Sequence, residues 1–284
     1  TSLQSNRIQS LDADGFTLGT DASVNSDTAP YHYIAFKAAP GELEVGQYVG
    51  TDANAFIPTS VAPNYVIVIP GNTTGAATAN AVVQRSTSMG ASLRFDNAAI
   101  TGNAISSIIS SPPGFNVESP LIANGITYHW IAWTTTSNRI NVGSYTGNGT
   151  SQTIPVGFDP KHVIVKISTS GTGFEGVHRS DSPTLTNTLH FINVANFADG
   201  ITSLGAGGFQ VGADSHVNTN LSTYFWMAFG AADNSLPVAL ASFTGKVSEG
   251  RVVLRWATAS ESQNLGFNVY RSTSPDGPFV KLNP

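Results

Sequence analysis

The stretch YFWMAF at residues 224–229 is written three times along the chain, the other versions being YHYIAF at 31–36 and YHWIAW at 128–133. Because side chains alternate along a strand, one face of this segment would carry Tyr224 and Trp226 and the other Met227. Both faces are therefore apolar, which is typical of a strand in the middle of a sheet with protein packed on each side. We expect the segment to be interior scaffold and not a ligand-binding surface.

The surrounding sequence repeats in step with this segment. The spacing is 97 residues from Tyr31 to Tyr128 and 96 from Tyr128 to Tyr224. The start of the chain is a partial copy, since residues 7–36 align with 200–229 without a gap. Such internal repetition indicates a module copied along the chain. Landmarks shared by the two longer copies are LEVGQYVG at 43–50 with INVGSYTG at 140–147, PNYVIVI at 63–69 with PKHVIVK at 160–166, VQRS at 83–86 with VHRS at 177–180, and RFDN at 94–97 with HFIN at 190–193.

The repeat predicts four segments in an all-β chain. Short β-branched runs bounded by Gly, Asn and Pro predict strands and turns, and helical periodicity is weak throughout. A unit of about 90 residues fits a self-contained antiparallel β-sandwich of about seven to nine strands, jelly-roll-like in strand count and spacing. We expect the C-terminal half of a unit, or an inter-subunit strand donor, at 1–37, full sandwiches at 43–133 and 140–229, and a different, partial module at 237–284.

Composition argues against several classes of function. Charged residues make up 11% of the 284, the net charge is −5 and no basic run is present, so we expect no nucleic-acid partner. The chain contains no stretch of 18 apolar residues, so we expect no membrane insertion. The absence of cysteine excludes disulfides, thiolate chemistry and cysteine-based zinc sites.

Local signatures of catalysis are also missing. The sequence contains no nucleophile elbow, phosphate loop or dinucleotide fingerprint, and its six histidines fall at no H-x-H or H-x-x-x-H spacing. His32 and His129 share a repeat position with Phe225, which predicts packing and not metal ligation. We therefore predict no enzyme activity, no catalytic or metal-binding residues and no cofactor.

The second full unit resembles a known repeat family. VGSYTGNGTSQTIPVGFDPKHVIVK at 142–166 and GFQVGADSHVNTNLSTYFWMAF at 208–229 are similar to a repeat module of bacteriophage tail-fibre and tail-tip proteins and related bacterial surface proteins. The first full unit departs from the pattern, with VGTDAN at 49–54 in place of TGNGTS. The resemblance implies a β-sandwich in a fibrous or surface assembly and does not imply an enzyme.

The last segment resembles a different family. LPVALASFTGKVSEGRVVLRWATASESQNLGFNVYRSTSPDGPFVKLN at 236–283 is similar to the start of a fibronectin type III-like module found near the C-termini of secreted bacterial proteins. This resemblance implies that Trp256 is the buried core tryptophan of the second strand, and it favours a cellular surface protein over a virion. A complete sandwich of this kind needs close to 100 residues, so we expect a partial module.

Both ends of the chain are therefore expected to expose unpaired strand edges and apolar faces. Either the natural chain continues in both directions, or one copy completes another and the copies assemble head to tail. The second option predicts a structural subunit of an extracellular or cell-surface bacterial filament, fibre or surface layer, with copies of itself as partners. The alternative is a glycan-binding adhesin or phage tail-fibre module that binds surface glycans. The residues expected to form the self-assembly interface are Ile8, Leu11, Phe16, Val24, Phe243, Val252, Leu254, Trp256, Phe267 and Val269.

Overall fold

The regular structure of the chain is almost entirely antiparallel β-sheet, which confirms the predicted all-β class. The structure is a computed structural model that describes residues 6–29, 31–36, 41–71, 82–99, 103–136, 138–169, 174–182, 186–231, 239–248, 250–260, 267–274 and 277–283. It divides into two compact units, Thr1–Ala231 and Ala232–Pro284. Neither of the two helices among these residues is long enough to cross a membrane.

The first unit begins with a small half-module. Its strands form a two-stranded hairpin, and a one-turn helix follows. Asp21 caps this helix, because its side chain accepts a hydrogen bond from the backbone N–H of Ser23. The elements are β1 (Ile8–Leu11), β2 (Phe16–Leu18) and α1 (Ala22–Asn25).

Eight strands follow as the first full module. They form a five-stranded sheet in the order β3-β10-β5-β6-β7 and a three-stranded sheet in the order β4-β9-β8. Buried side chains from both sheets form one hydrophobic core, so the module is a β-sandwich. The strands are β3 (Leu43–Val49), β4 (Ala55–Pro58), β5 (Tyr65–Pro70), β6 (Val83–Ser86), β7 (Leu93–Arg94), β8 (Ile105–Ser110), β9 (Pro113–Val117) and β10 (Thr127–Trp133).

The second full module repeats this arrangement strand for strand. Its sheets have the orders β11-β18-β13-β14-β15 and β12-β17-β16, and they enclose a second core. The additional helix α2 is capped by Asp214 as α1 is capped by Asp21. The elements are β11 (Ile140–Thr146), β12 (Gln152–Pro155), β13 (Pro160–Ile167), β14 (Val177–Ser180), β15 (Leu189–His190), β16 (Ile201–Gly205), β17 (Gly208–Val211), α2 (Ser215–Asn218) and β18 (Thr223–Gly230).

Details of the backbone register show that the half-module is a third copy. The hairpins β1–β2, β8–β9 and β16–β17 each contain a register shift at the same repeat position, after Ile8, Ile105 and Ile201 respectively. A β-bulge is a specific feature of a strand pair, so its recurrence in three hairpins identifies a common origin.

The repeated tyrosine makes the same hydrogen bonds in all three copies. Its hydroxyl accepts from the backbone N–H five residues earlier and donates to a carbonyl eight or nine residues earlier. These bonds tie the central strand to the preceding turn. They join Tyr31 to Ser26 and Ala22, Tyr128 to Ala123 and Pro120, and Tyr224 to Thr219 and Ser215.

The two apolar faces of the central strand have different partners. In β18, Tyr224, Trp226 and Ala228 lie in the core of the second sandwich. Met227 and Phe229 lie in a third cluster, to which both full modules contribute. The five-stranded sheets of the two modules therefore pack on each other, which explains why both faces of the repeated strand are apolar.

Three equivalent aromatic residues meet in this contact between the modules. Phe36, Trp133 and Phe229 hold the last position of the repeated strand in their respective copies. The ring centroid of Phe36 is 5.5 Å from Trp133 and 4.6 Å from Phe229, and those of Trp133 and Phe229 are 5.6 Å apart. Glu42 and Arg139 also share a repeat position, since each directly precedes the first strand of its module. Their side chains form an ion pair with an N–O distance of 2.8 Å.

A glycine opposite the repeated tryptophan explains part of the motif V-G-x-Y. Gly143 pairs with Trp226 across β11 and β18, and Gly46 pairs with Trp130 across β3 and β10. A Cβ atom at either glycine would lie 2.4 Å from Cζ2 of the opposite indole. The indole therefore lies over the neighbouring strand, where only glycine leaves it room.

The second unit, Ala232–Pro284, consists of two small antiparallel sheets among its described residues. One is a long hairpin and the other pairs two very short strands. Parts of the predicted fibronectin type III-like segment, including 236–238 and 261–266, lie outside the described residues. The strands are β19 (Ala239–Ser248), β20 (Arg251–Ser260), β21 (Tyr270–Arg271) and β22 (Val280–Lys281).

Candidate functional site

The predicted interface residues of the N-terminal end lie around one cavity. Ile8, Leu11, Phe16 and Val24 all line an apolar cavity of about 490 Å³, together with Tyr31–Phe36 and with residues of β3 and β10. We call this surface the open half-module. Sequence reasoning predicted the four residues, and the structure brings them together.

The open half-module exposes side chains that are core in the other two copies. Ile8 is 59% exposed, whereas Ile105 and Ile201 at the same repeat position are fully buried. Tyr33 is 72% exposed, whereas its equivalent Trp226 is 6% exposed. In the full modules the central strand pairs on both edges, but Tyr31–Phe36 forms no strand ladder with the described residues.

The predicted interface residues of the C-terminal end lie mainly on one face of the hairpin β19–β20. Phe243 pairs with Trp256, and Val252 and Leu254 precede Trp256 at alternate positions, so all four side chains share a face. We call this surface the hairpin face. The Phe267 ring packs edge-on against Trp256, with centroids 5.4 Å apart, whereas Val269 is half-buried and its backbone N–H donates to the Asn283 side chain.

Trp256 departs from the expected core position. It is 39% exposed, and Phe243 beside it is 58% exposed. The expectation that Trp256 is a buried core tryptophan is therefore wrong for the described unit. The physical reason is that the second sheet described here, β21–β22, has only two residues per strand and leaves most of the hairpin face uncovered.

The two ends carry opposite charge. Residues 1–36 contain one basic and four acidic residues, a net charge of −3. Residues 239–284 contain five basic and three acidic residues, a net charge of +2. The N-terminal and C-terminal segments therefore carry net charges of opposite sign.

The repeated aromatic residues of the full modules are core, as predicted. Tyr128, Trp130, Trp133, Tyr224 and Trp226 are all buried, so none of them forms a sugar-stacking platform.

The prediction that the His32 and His129 position is packed is wrong. Both side chains are exposed, and Phe225 at the same repeat position is only half-buried. This position lies just before the part of the strand that joins the third cluster, which contains Met227 and Phe229 but not Phe225.

A cluster of ionisable residues that sequence reasoning did not find lies in the second module. Glu175 lies two residues before β14, His190 ends β15, and His216 lies in α2. Oε1 of Glu175 is 3.1 Å from Nδ1 of His190 and 3.4 Å from Nε2 of His216. The side chains of His190 and Glu175 are only 4% and 6% exposed. We call these three residues the carboxylate–histidine cluster.

Neighbouring residues orient the cluster. Oδ1 of Asp214 lies 2.7 Å from Nδ1 of His216 and also accepts from the His216 backbone N–H. The ring of Phe197 covers both imidazoles, at centroid distances of 4.9 Å from His190 and 5.0 Å from His216. Glu175 Oε2, His190 Nδ1 and His216 Nε2 are buried and have no partner at hydrogen-bond geometry among the described residues.

These contacts shift the pKa values of the cluster in different directions. The hydrogen bond to Asp214 raises the pKa of His216, whereas burial lowers the pKa of His190. Burial acts to raise the pKa of Asp214, but hydrogen bonds from His216 hold it below its ordinary value. The two imidazoles therefore differ because only His216 has a second carboxylate.

A second pair of histidines lies between β13 and β14. The rings of His162 and His178 are 5.2 Å apart, and Nδ1 of His162 is 2.9 Å from the Ser180 hydroxyl. Burial lowers the pKa of His162 to about 3 and that of His178 to about 4. In the first module the same two positions hold Tyr65 and Gln84, which are joined by a hydrogen bond.

Lys166 links the two full modules. Its ammonium donates to the backbone carbonyl of Asp96 in the first module at 3.1 Å, and to the carbonyl of Phe174. Burial lowers the pKa of Lys166 to about 8.

A search for local sequence motifs could not have found the carboxylate–histidine cluster. Its members are separated by 15 and 26 residues, and the aligned positions of the first module hold Ala81, Arg94 and Pro120. A comparison of the copies would have shown histidine and glutamate at positions where the other module has none, but only the fold shows that these positions meet.

No protein-family model, curated protein or solved structure matches the chain. The resemblances to tail-fibre repeats and to fibronectin type III-like modules therefore stay predictions from the sequence.

Proposed function

We propose that the chain is a structural subunit that assembles head to tail with copies of itself into an extracellular bacterial filament, fibre or surface layer. The observation that carries the proposal is the open half-module, whose apolar face is core in both other copies. Apolar surface of this extent is unfavourable in water at about 25 cal/mol per Å², so covering it would drive association.

The occupant of the open half-module is the hairpin face of a second copy. The strands β19 and β20 are ten residues long, enough to lie along Tyr31–Phe36, which pairs with no strand among the described residues. By strand addition, their apolar face would cover side chains whose equivalents are covered in the full modules. The charges of −3 and +2 at the two ends favour this pairing over head-to-head contact.

Head-to-tail contact leads to a filament because it joins two different surfaces. Each copy that joins leaves one open half-module and one hairpin face for the next copy, so the assembly does not close. The packed sheets of the full modules make Thr1–Ala231 a stiff segment of such a filament.

Light scattering and negative-stain electron microscopy of the 284-residue chain test the proposal. We expect assembly that increases with concentration, that Leu11→Asp weakens at least tenfold, and that Trp256→Asp also weakens. Leu221→Asp is the matched control, because Leu221 is an exposed leucine (82%) of the second module that neither lines the open half-module nor belongs to the hairpin. Monomers at all concentrations, or assembly equally reduced by all three variants, would refute the proposal. Monomers that bind surface polysaccharide through Tyr33 would support the glycan-binding alternative.

A further inference from the structure

We propose that Glu175, His190 and His216 bind one divalent transition-metal ion of the Zn²⁺ type. The proposal concerns a site that the assembly does not use, and it holds whether or not the chain forms filaments. Two imidazole nitrogens and one carboxylate oxygen are a ligand set typical of zinc with one open coordination position.

The distances fit a tetrahedral ion. Ligand atoms at about 2.0–2.1 Å from a tetrahedral ion lie about 3.3 Å from one another. The distances from Glu175 Oε1 to His190 Nδ1 and His216 Nε2 are 3.1 Å and 3.4 Å. All three ligand atoms lie within 4.8 Å of one another, so the third edge would have to close by at most about 1.5 Å.

The hydrogen bonds around His216 leave its Nε2 atom facing Glu175. Asp214 has only acceptor oxygens when ionised, so a proton of the His216 ring belongs to Nδ1, which faces it. Nε2 lies 3.4 Å from Glu175 Oε1 and pairs with this carboxylate only when it carries a second proton. A metal ion between the two atoms would take the place of that proton and bind both of them.

The surroundings supply the features that support a metal ligand. A carboxylate bonded to the distal nitrogen of a ligating histidine fixes the ring and raises its basicity, and Asp214 does this for His216. The Phe197 ring excludes water from one side of both imidazoles. The buried atom Glu175 Oε2 has no hydrogen-bond partner among the described residues, and the contacts of His190 Nδ1 and His216 Nε2 with Glu175 Oε1 lack hydrogen-bond geometry.

Metal binding would join α2 to the five-stranded sheet of the second sandwich. Glu175 and His190 adjoin β14 and β15 of this sheet, and His216 lies in α2, which contacts β13 of the same sheet. The ion would thus fix the helix to the sheet, as a disulfide can do in chains that contain cysteine. Among the described residues this is the one group of three such ligands, so we expect one ion per chain.

The test is Zn²⁺ binding to the full chain after chelator treatment, followed by calorimetry and by the visible absorption of bound Co²⁺. We expect about one equivalent of Zn²⁺, a higher melting temperature and a tetrahedral Co²⁺ spectrum. His216→Ser uses the residue that the half-module holds at this position, Ser23, and it should lower affinity at least 100-fold. Asp214→Asn should lower affinity by about 10- to 100-fold through the orientation of His216.

Two further variants keep the result decisive. Glu175→Gln changes almost no volume, so it tests the ligand even if His216→Ser unfolds the module, and we expect at least a 100-fold loss. His129→Asn is the matched control, because His129 is exposed and outside the cluster, and it should bind Zn²⁺ as the parent does. Absence of stoichiometric Zn²⁺ binding by the parent, or equal affinity of the parent and Glu175→Gln, would overturn the proposal.

Discussion

Replacing the buried histidine pair of the second module by the pair of the first should make the protein more resistant to acid. The variant is His162→Tyr with His178→Gln, which installs the residues found at Tyr65 and Gln84. His162 is 4% exposed and packs near Phe229, so its imidazole has little access to water in the folded state. The repeat thus offers a pair that the same fold accepts.

The size of the effect follows from the pKa of His162, which burial lowers to about 3 from the ordinary 6.5. The unfolded chain therefore takes up a proton before the folded chain does. The stability contributed by the neutral ring is complete above pH 6.5 and is lost as the pH falls toward 3. Between pH 7 and pH 4 this amounts to about 3 kcal/mol, on the order of a third of the stability of a typical domain.

Urea unfolding at pH 7 and pH 4, followed by tryptophan fluorescence and circular dichroism with chelator present, measures this loss. Carboxylates and the carboxylate–histidine cluster contribute to acid sensitivity in both proteins, so the comparison between parent and variant removes their share. We expect the variant to lose at least about 3 kcal/mol less than the parent between the two pH values, because it also removes His178, whose pKa burial lowers to about 4. An equal loss in both proteins would show that His162 does not stay neutral in the fold.

Further predictions concern the glycine beside the indole, the buried lysine and the triangle of aromatic rings. Gly143→Ala should destabilise the second module by about 1–3 kcal/mol, because its Cβ would overlap the indole of Trp226, whereas Gly90→Ala, which meets no atom within 4 Å, should be nearly neutral in a urea titration. Burial lowers the pKa of Lys166 to about 8, so the parent should gain roughly 1.5 kcal/mol between pH 8 and pH 9.5, and Lys166→Met should lack this gain in unfolding measurements over that range. Phe36→Ala removes the ring that joins the half-module to the contact between the modules, and proteolysis should then cut before residue 41 faster than in the parent.

Much of the fold could be predicted because the same pattern of strands and turns recurs along the sequence. The alternation of YFWMAF, the spacing of its copies and the turn residues between them predict strands, modules and buried aromatics, and these are found at Tyr128, Trp130 and Trp226. The two apolar faces predicted a strand covered on both sides. They did not reveal that the second cover is the other module, since no sequence pattern distinguishes a sheet face that packs on a helix from one that packs on a copy.

The candidate sites were predictable only in part, for a physical reason. The four residues that line the open half-module are apolar and repeat apolar positions of the full copies, so comparison of the copies is enough to find them. Glu175, His190 and His216 belong to three separate elements, and their proximity depends on how β14, β15 and α2 pack together. The core position of Trp256 was implied by a family resemblance, but only two short strands, β21 and β22, accompany the hairpin among the described residues.

The salt link between Glu42 and Arg139 has an evolutionary consequence. These residues descend from one ancestral position, and if identical subunits met in this way the contact would bring like charges together and be unfavourable. After gene duplication and fusion, each copy can mutate independently. Opposite charges at this position can then stabilise contact between the two different copies. The pair therefore favours contact between two unlike copies over contact between two identical ones, and it would do so whichever of the two sandwiches came first in the chain.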